Sequence, residues 1–290
     1  MTKASTATVS TLSAYDGTLL SLRTWPAPEG RVRATVLIVH GLGEHSARYE
    51  HVATRLREWG FQAVGYDHRG HGLSLGPRGS LQKDDDLLTD LASVIDHVRE
   101  QHPGPLVLFG HSMGGLTVAR FVAGELRAVD AVMLSSPALD IGLSTLQRGA
   151  LKASYSLTPA LQLPNGLDAN GVSRDPDEVI AYKNDPLVHD KITPRLVNFM
   201  LQGGEFVRAR APQWKLPTLL MWAGADRLVR PAGSATFAAL APKDLVQAHP
   251  FEGYFHELVN EPLEAREQVF DAMRGWLDER FPRNPGQLPG

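Results

Sequence analysis

Short apolar, β-branched runs that alternate with stretches of helical period constrain this chain more than any other feature. Four such runs are Ala34 to His40, Phe61 to Asp67, Leu106 to His111 and Ala131 to Ser136. Between them, Tyr49, Val52, Ala53, Leu56 and Trp59, and then Leu87, Leu91, Ile95 and Val98, recur at the spacing that puts each set on one helix face. Strands joined by helical crossovers pair in parallel and are buried on both faces, so the pattern predicts an α/β fold with a mostly parallel central sheet and flanking helices. Ahead of it, Ala7 to Trp25 alternates about Asp16-Gly17, a dipeptide suited to a tight turn, and predicts an antiparallel ribbon.

The rhythm breaks between Asp140 and Pro212. Helix starts are present there, Asp175-Pro176-Asp177-Glu178 with capping-box spacing and Thr193-Pro194 with proline at the first helical position, but no convincing strand. The rhythm resumes with a strand at Thr218 to Ala223, a helix near Ala232 to Leu240, a strand near Leu245 to Pro250 and a closing helix from Pro262 to Glu279. The chain therefore divides into a first part of the core (1–139), a helical insertion (140–212), a second part of the core (213–281) and a proline- and glycine-rich tail (282–290) expected to be disordered.

With 290 residues, 43% of them hydrophobic and 21% charged, the chain can bury a large core unaided. A formal charge of -3 without long blocks of either sign argues against a nucleic-acid partner. The densest run, Asp84-Asp85-Asp86, reads as a solvated helix start. The absence of cysteine removes disulfides and thiol chemistry. No signal-like stretch and no apolar span are evident, which leads to the expectation of a cytoplasmic protein.

Gly110-His111-Ser112-Met113-Gly114-Gly115 follows a strand-like run and precedes the helical stretch Leu116 to Ala123, so G-x-S-x-G stands in the strand-turn-helix context it requires. A serine on such a sharp turn projects its hydroxyl above the sheet, and the glycines let strand and helix backbones pass closely. A serine hydroxyl needs a base to become a nucleophile, and the base needs an acid to fix its tautomer. Around this turn the chain order is nucleophile, acid, histidine. Asp226, just past the strand Thr218 to Ala223, is the expected acid, and His256, beyond the last strand, the expected base. Asp226 could instead cap the following helix, and Asp140, past a different strand, is a rival acid; chain order and strand-end placement favour Asp226. Glu257 is expected at the surface or behind the site.

Acyl transfer also needs donors aimed at the developing oxyanion. The amide of Met113, next to the nucleophile at a helix start, is one, and that of Leu42, in the glycine-flanked loop after the run Ala34 to Val39, is the other. His40, His45, His68 and His71 lie in two glycine-rich loops without the converging spacing of a zinc site, so no metal is expected and the histidines read as loop hydrogen-bonders. Trp59, Trp222 and Trp276 fit the core. Gly203-Gly204 and Gly70-His71-Gly72 are too short for a phosphate cradle, and no cofactor is implied.

The stretches His40-Gly41-Leu42-Gly43-Glu44-His45-Ser46-Ala47-Arg48-Tyr49, Asp67-His68-Arg69-Gly70-His71-Gly72-Leu73-Ser74, the serine motif, Ser136-Pro137-Ala138-Leu139 and His256-Glu257-Leu258-Val259-Asn260-Glu261-Pro262 resemble the monoacylglycerol lipase and lysophospholipase branch of the α/β-hydrolases over most of the chain. The resemblance implies an α/β-hydrolase fold with a helical cap at 140–212, a triad of Ser112, Asp226 and His256, and an oxyanion hole at Leu42 and Met113. It also implies a carboxylic ester hydrolase whose substrate is a lipid-like ester, monoacylglycerol foremost, with a lysophospholipid or a simple ester as alternatives. Substrate-binding residues are expected within the cap. Val229 stands where some relatives carry a cysteine. The cap's leucines, Leu143, Leu146, Leu151, Leu157, Leu161, Leu163 and Leu167, either line a tunnel or meet a membrane surface, or else pack cap onto core. A non-catalytic binding homologue is the remaining alternative, though every part of the triad is present.

Overall fold

The computed structural model describes residues 7–283. The ribbon forms as expected, β1 (Thr8–Ser13) antiparallel to β2 (Leu19–Thr24), with Gly17 at a φ of +85° in the turn. The alternating segment gives β3 (Thr35–Val39), α1 (Glu50–Glu58), β4 (Gln62–Tyr66), α2 (Asp86–Gln101), β5 (Leu106–His111), α3 (Ser112–Ala123) and β6 (Ala131–Ser135). The insertion holds α4 (Thr145–Leu157), β7 (Leu163–Pro164), α5 (Pro176–Asn184), β8 (Lys191–Ile192) and α6 (Pro194–Arg210). The chain closes with β9 (Thr218–Ala223), α7 (Pro231–Leu240), β10 (Val246–Phe251) and α8 (Leu263–Arg280). Of the expected tail, residues 284–290 lie outside the described residues.

The strands form one eight-stranded sheet in the order β1-β2-β4-β3-β5-β6-β9-β10, parallel from β4 to β10. Successive side chains of a strand serve opposite layers. Val36, Ile38, Val107 and Phe109 face the layer of α1 and α8, where Val52, Leu56, Phe270 and Trp276 are buried. Leu37, Val39, Leu108 and Leu134 face the layer of α2, α3, α6 and α7. Each fully buried leucine, valine or phenylalanine contributes about 1.5–3 kcal/mol, so the two layers, more than helix propensity, fix the arrangement.

Three local expectations are corrected. Asp86 is not solvated: it is fully buried, accepts from the Tyr15 hydroxyl at 2.6 Å and lies 3.0 Å from Arg69, which also pairs with Asp90 at 2.6 Å. One guanidinium in a low-dielectric pocket draws in carboxylates that composition alone assigns to water; Asp84 and Asp85 do stay exposed. The insertion is not free of strand, because β7 and β8 pair antiparallel, each over two residues. The capping box spaced from Asp175 to Glu178 does not form: the Asp175 side chain caps α5 on the Asp177 amide at 3.0 Å instead. The complete box stands at α4, between Ser144 and Gln147.

Gly203 and Gly204 lie inside α6 and let it press onto its neighbours. A Cβ on Gly203 would come within 3.3 Å of Leu116 on α3, and one on Gly204 within 2.4 Å of the Leu139 carbonyl.

Candidate active site

The parallel strands all deliver their carboxyl ends to one edge, where a topological switch places ligands in such sheets. Ser112 follows β5 there with φ of +53°, the left-handed region that costs a non-glycine residue of order 1–3 kcal/mol unless its surroundings enforce it. They do. A Cβ on Gly114 would lie 2.1 Å from the Val39 carbonyl oxygen, and one on Gly110 2.8 Å from the Gly114 carbonyl. The glycines of the motif thus let β3, β5 and α3 meet behind the serine, as the spacing requires.

The loop after β9 brings Asp226 and the loop after β10 brings His256, thirty residues apart and hydrogen-bonded at 2.7 Å from Nδ1 to Oδ2. Asp226 Oδ1 accepts from the amides of Leu228 and Val229 at 2.8 and 3.0 Å, so one oxygen of the carboxylate caps the turn and the other holds His256. The rival, Asp140, turns its Oδ1 onto the Gly142 amide at 2.8 Å. Burial pushes the His256 imidazole down, but the Asp226 carboxylate, with Glu257 and Glu44 beyond it, more than offsets this and holds it above its usual value. Burial in turn raises Asp226, and the imidazole and two amides outweigh it, leaving the carboxylate below its usual value.

Ser112 and His256 open onto one cavity of about 600 Å³, with Leu42 in its wall. Met113 is the second residue of α3, where an amide has no partner within the helix. Leu42 lies between Gly41 and Gly43, and the carbonyl of Gly43 accepts from the His189 amide of the insertion at 2.9 Å. The segment 140–212 supplies much of the apolar wall, including Leu143, Leu167, Val172, Ile192 and Met200, while Leu228 and Val229 add core residues to it. That volume suits a drug-sized ligand, and its largely apolar wall suits an alkyl chain.

The loop histidines take the structural part expected of them. The ring of His40 faces the His68 amide at 2.9 Å and the Gly41 carbonyl at 2.7 Å, and burial lowers it to about 3, so it stays neutral. His68 and His71, buried beside it, are also held well below their usual value by burial and by their neighbours. Among the described residues, no three histidine or carboxylate groups are placed to hold a metal ion.

Sequence reasoning missed a buried ionic bridge beside the site. Glu257, expected at the surface or behind the site, is buried and takes both nitrogens of the Arg48 guanidinium at 2.7 Å each. Arg48 also donates to Glu44 at 2.9 Å, and the Tyr182 ring lies 4.8 Å beneath it. Only the placement of Glu44 and Arg48 four residues apart in a glycine-rich loop hinted at this.

The family model described as "Serine aminopeptidase, S33" matches residues 30–263. The monoacylglycerol lipase of Mycolicibacterium smegmatis is 34% identical over 86% of this chain and 90% of its own length. The chain belongs to the α/β-hydrolases of the monoacylglycerol lipase type. An abhydrolase domain-containing protein of Dictyostelium discoideum is likewise 34% identical over 98% of this chain, which spans 30% of that protein's length. The crystal structure of the Paleococcus ferrophilus monoacylglycerol lipase superposes with a TM-score of 0.81 at 34% identity, covering 90% of this chain and 99% of that one. Membership makes this α/β-hydrolase a carboxylic ester hydrolase.

Proposed function

We propose that the chain hydrolyses monoacylglycerol to fatty acid and glycerol through an acyl-enzyme on Ser112. His256 takes the serine proton as Oγ attacks the ester carbonyl, and Asp226 holds the imidazole with its other nitrogen toward the nucleophile and stabilises the imidazolium. The amides of Leu42 and Met113 receive the oxyanion. Collapse of the tetrahedral intermediate passes the proton from His256 to the leaving glycerol oxygen. Water, deprotonated by the same imidazole, then releases the fatty acid and restores the serine.

The observation that carries this reading is the 2.7 Å contact between His256 and Asp226, together with a serine in the left-handed region that opens with His256 onto one largely apolar cavity. The cap segment 140–212 would hold the acyl chain, and its exposed leucines would rest on a lipid surface, a peripheral contact. Among the described residues no helix is long and apolar enough to cross a membrane.

The test compares hydrolysis of monoacylglycerols of graded chain length, lysophosphatidylcholine and nitrophenyl esters, with Ser112→Ala as the control. The proposal expects the highest kcat/KM on a monoacylglycerol, loss of all turnover in Ser112→Ala, and fluorophosphonate labelling confined to Ser112. A preference for lysophosphatidylcholine would make the chain a lysophospholipase, and failure of the folded wild type to label would make it a binding homologue.

A further inference from the structure

Arg48 sits between two loops that are far apart in sequence and must be held in register for acyl transfer. On one side, its partner Glu44 uses the other carboxylate oxygen to accept from the Gly41 amide at 2.6 Å and from the Tyr49 hydroxyl at 2.7 Å. Gly41 shares a peptide unit with Leu42, whose amide is one of the two oxyanion donors. On the other side, the bidentate partner Glu257 directly follows His256, and its second oxygen also accepts from the Asn260 side chain at 2.8 Å. The backbone of the same loop is tied to the insertion, with the Glu257 amide donating to the Val172 carbonyl at 2.8 Å. Glu44 and Glu257 are buried and the Arg48 side chain nearly so: it is 9% exposed, against 3% and 5% for the two carboxylate side chains.

A buried ion triad is a weak device for stability, because desolvation of each charge offsets much of the attraction. Fold alone therefore gives a poor reason for this one, whereas fixing two loops against each other gives a good one: a planar guanidinium with a bidentate and a single contact leaves little freedom of angle. The charges point the same way. Glu257, next to His256 in the loop, favours the imidazolium as Asp226 does, and an imidazolium forms at His256 during each turnover.

We infer that Arg48 and Glu257 are positioning residues of the hydrolytic reaction: Arg48 clamps the oxyanion loop to the histidine loop, and Glu257 lends His256 a second negative charge. This rests on the proposed roles of Ser112, His256 and Leu42. The charged and titratable groups around His256 are Asp226 after β9, Glu257 on its own loop, Glu44 from the loop after β3, with Arg48 held on both glutamates, and His111 at the end of β5, whose ring lies 4.7 Å away. Burial lowers His111 to about 3, so it stays neutral and opposes nothing.

The experiment follows a short water-soluble nitrophenyl ester across pH with wild type, Glu257→Gln, Glu257→Asp and Arg48→Lys, each checked for native near-ultraviolet circular dichroism. Removing the Glu257 charge disfavours the imidazolium, so the acid limb of kcat/KM should move to lower pH by about half a unit or more in Glu257→Gln. Glu257→Asp, which keeps the charge on a shorter arm, should keep the limb. Arg48→Lys keeps the charge and loses the fork. It should leave the limb and KM in place and lower kcat about tenfold or more, the scale on which small misplacements act. A Glu257→Gln protein with the wild-type limb, or an Arg48→Lys protein with the wild-type kcat, overturns the inference. If Glu257→Gln does not fold, Arg48→Lys decides alone. A wild type that neither turns over the ester nor labels at Ser112 defeats the proposed function itself, an outcome distinct from either.

Discussion

Asp226 combines two roles that its sequence neighbourhood sets against each other. As a residue just ahead of a helix it reads as a cap, and as a residue past a strand end it reads as an acid; its two oxygens divide between the two, one on the amides of Leu228 and Val229 and one on His256, where the proposed reaction needs an orienting acid. Asp226→Asn should therefore lower kcat by about 10⁴-fold, since an amide there favours the wrong imidazole tautomer. Asp140→Asn, whose side chain caps the Gly142 amide of its own turn rather than holding His256, should keep turnover near wild type. Retained turnover in the first, or loss in the second, would reverse the assignment. The pH profile has a definite sign. His256 must be neutral to accept the serine proton, and its folded value lies above the usual 6.5, so the acid limb of kcat/KM in the wild type should fall above pH 6.5. A limb below that value would show that the carboxylates around the imidazole do not govern it. At this scale Ser112, Asp226 and His256 were legible because each sits at a marked point, a glycine-flanked turn or the end of a strand. Arg48 was not, because its main partner lies 209 residues away and long-range pairing leaves no local pattern.

Elements were legible to within a residue or two wherever burial is periodic. Strands β3, β5 and β6 announced themselves because both faces are buried and, His111 apart, every position is apolar or small. The insertion was less legible: its helices α4 and α5 each bury a single residue, Leu151 and Val179, so hydrophobic spacing carried little information there. The short pairing of β7 with β8 follows from the way the insertion folds back on itself, which no periodicity records. Glycines show the same contrast between legible and hidden context. Gly114→Ala would drive a Cβ to 2.1 Å from the Val39 carbonyl, and the backbones it would have to part are the ones that shape the turn at Ser112. It should destabilise the fold by about 3 kcal/mol or more, read as a lower denaturation midpoint in urea. Gly275→Ala lies in the exposed face of α8 with nothing within 4 Å, and removing a helix-interior glycine there should add about 0.5–1 kcal/mol. If Gly114→Ala were as stable as wild type, close approach of the three backbones would not be what fixes the turn.

On the scale of the whole molecule, the core and the insertion differ in where their apolar residues go. Most leucines of the core are buried, with Leu19, Leu73, Leu75, Leu126, Leu240 and Leu263 between 40% and 60% exposed, whereas Leu146 and Leu157 on α4 are 84% and 80% exposed, and Leu161, Leu163 and Leu167 between 42% and 51%. Single exposed leucines are ordinary, but five within one insertion leave apolar area that water disfavours. Leu167 belongs both to this set and to the cavity wall, and Leu143, just ahead of α4, lines the cavity as well. An apolar surface that continues into an apolar cavity offers a lipid a route out of a bilayer or micelle without full exposure to water, at about 0.8 kcal/mol for each methylene kept covered. The proposed peripheral contact then predicts a split between substrates. Leu146→Ser with Leu157→Ser should lower the rate on monoacylglycerol presented in phosphatidylcholine vesicles by about tenfold or more. The same double variant should leave kcat/KM on a soluble nitrophenyl ester within about twofold of wild type, because neither residue borders the cavity and removing an exposed leucine opens no core. Co-sedimentation with the same vesicles should fall in parallel. Equal rates on vesicles for variant and wild type would mean that the exposed leucines serve some end other than reaching the lipid, and that substrate arrives at Ser112 from solution.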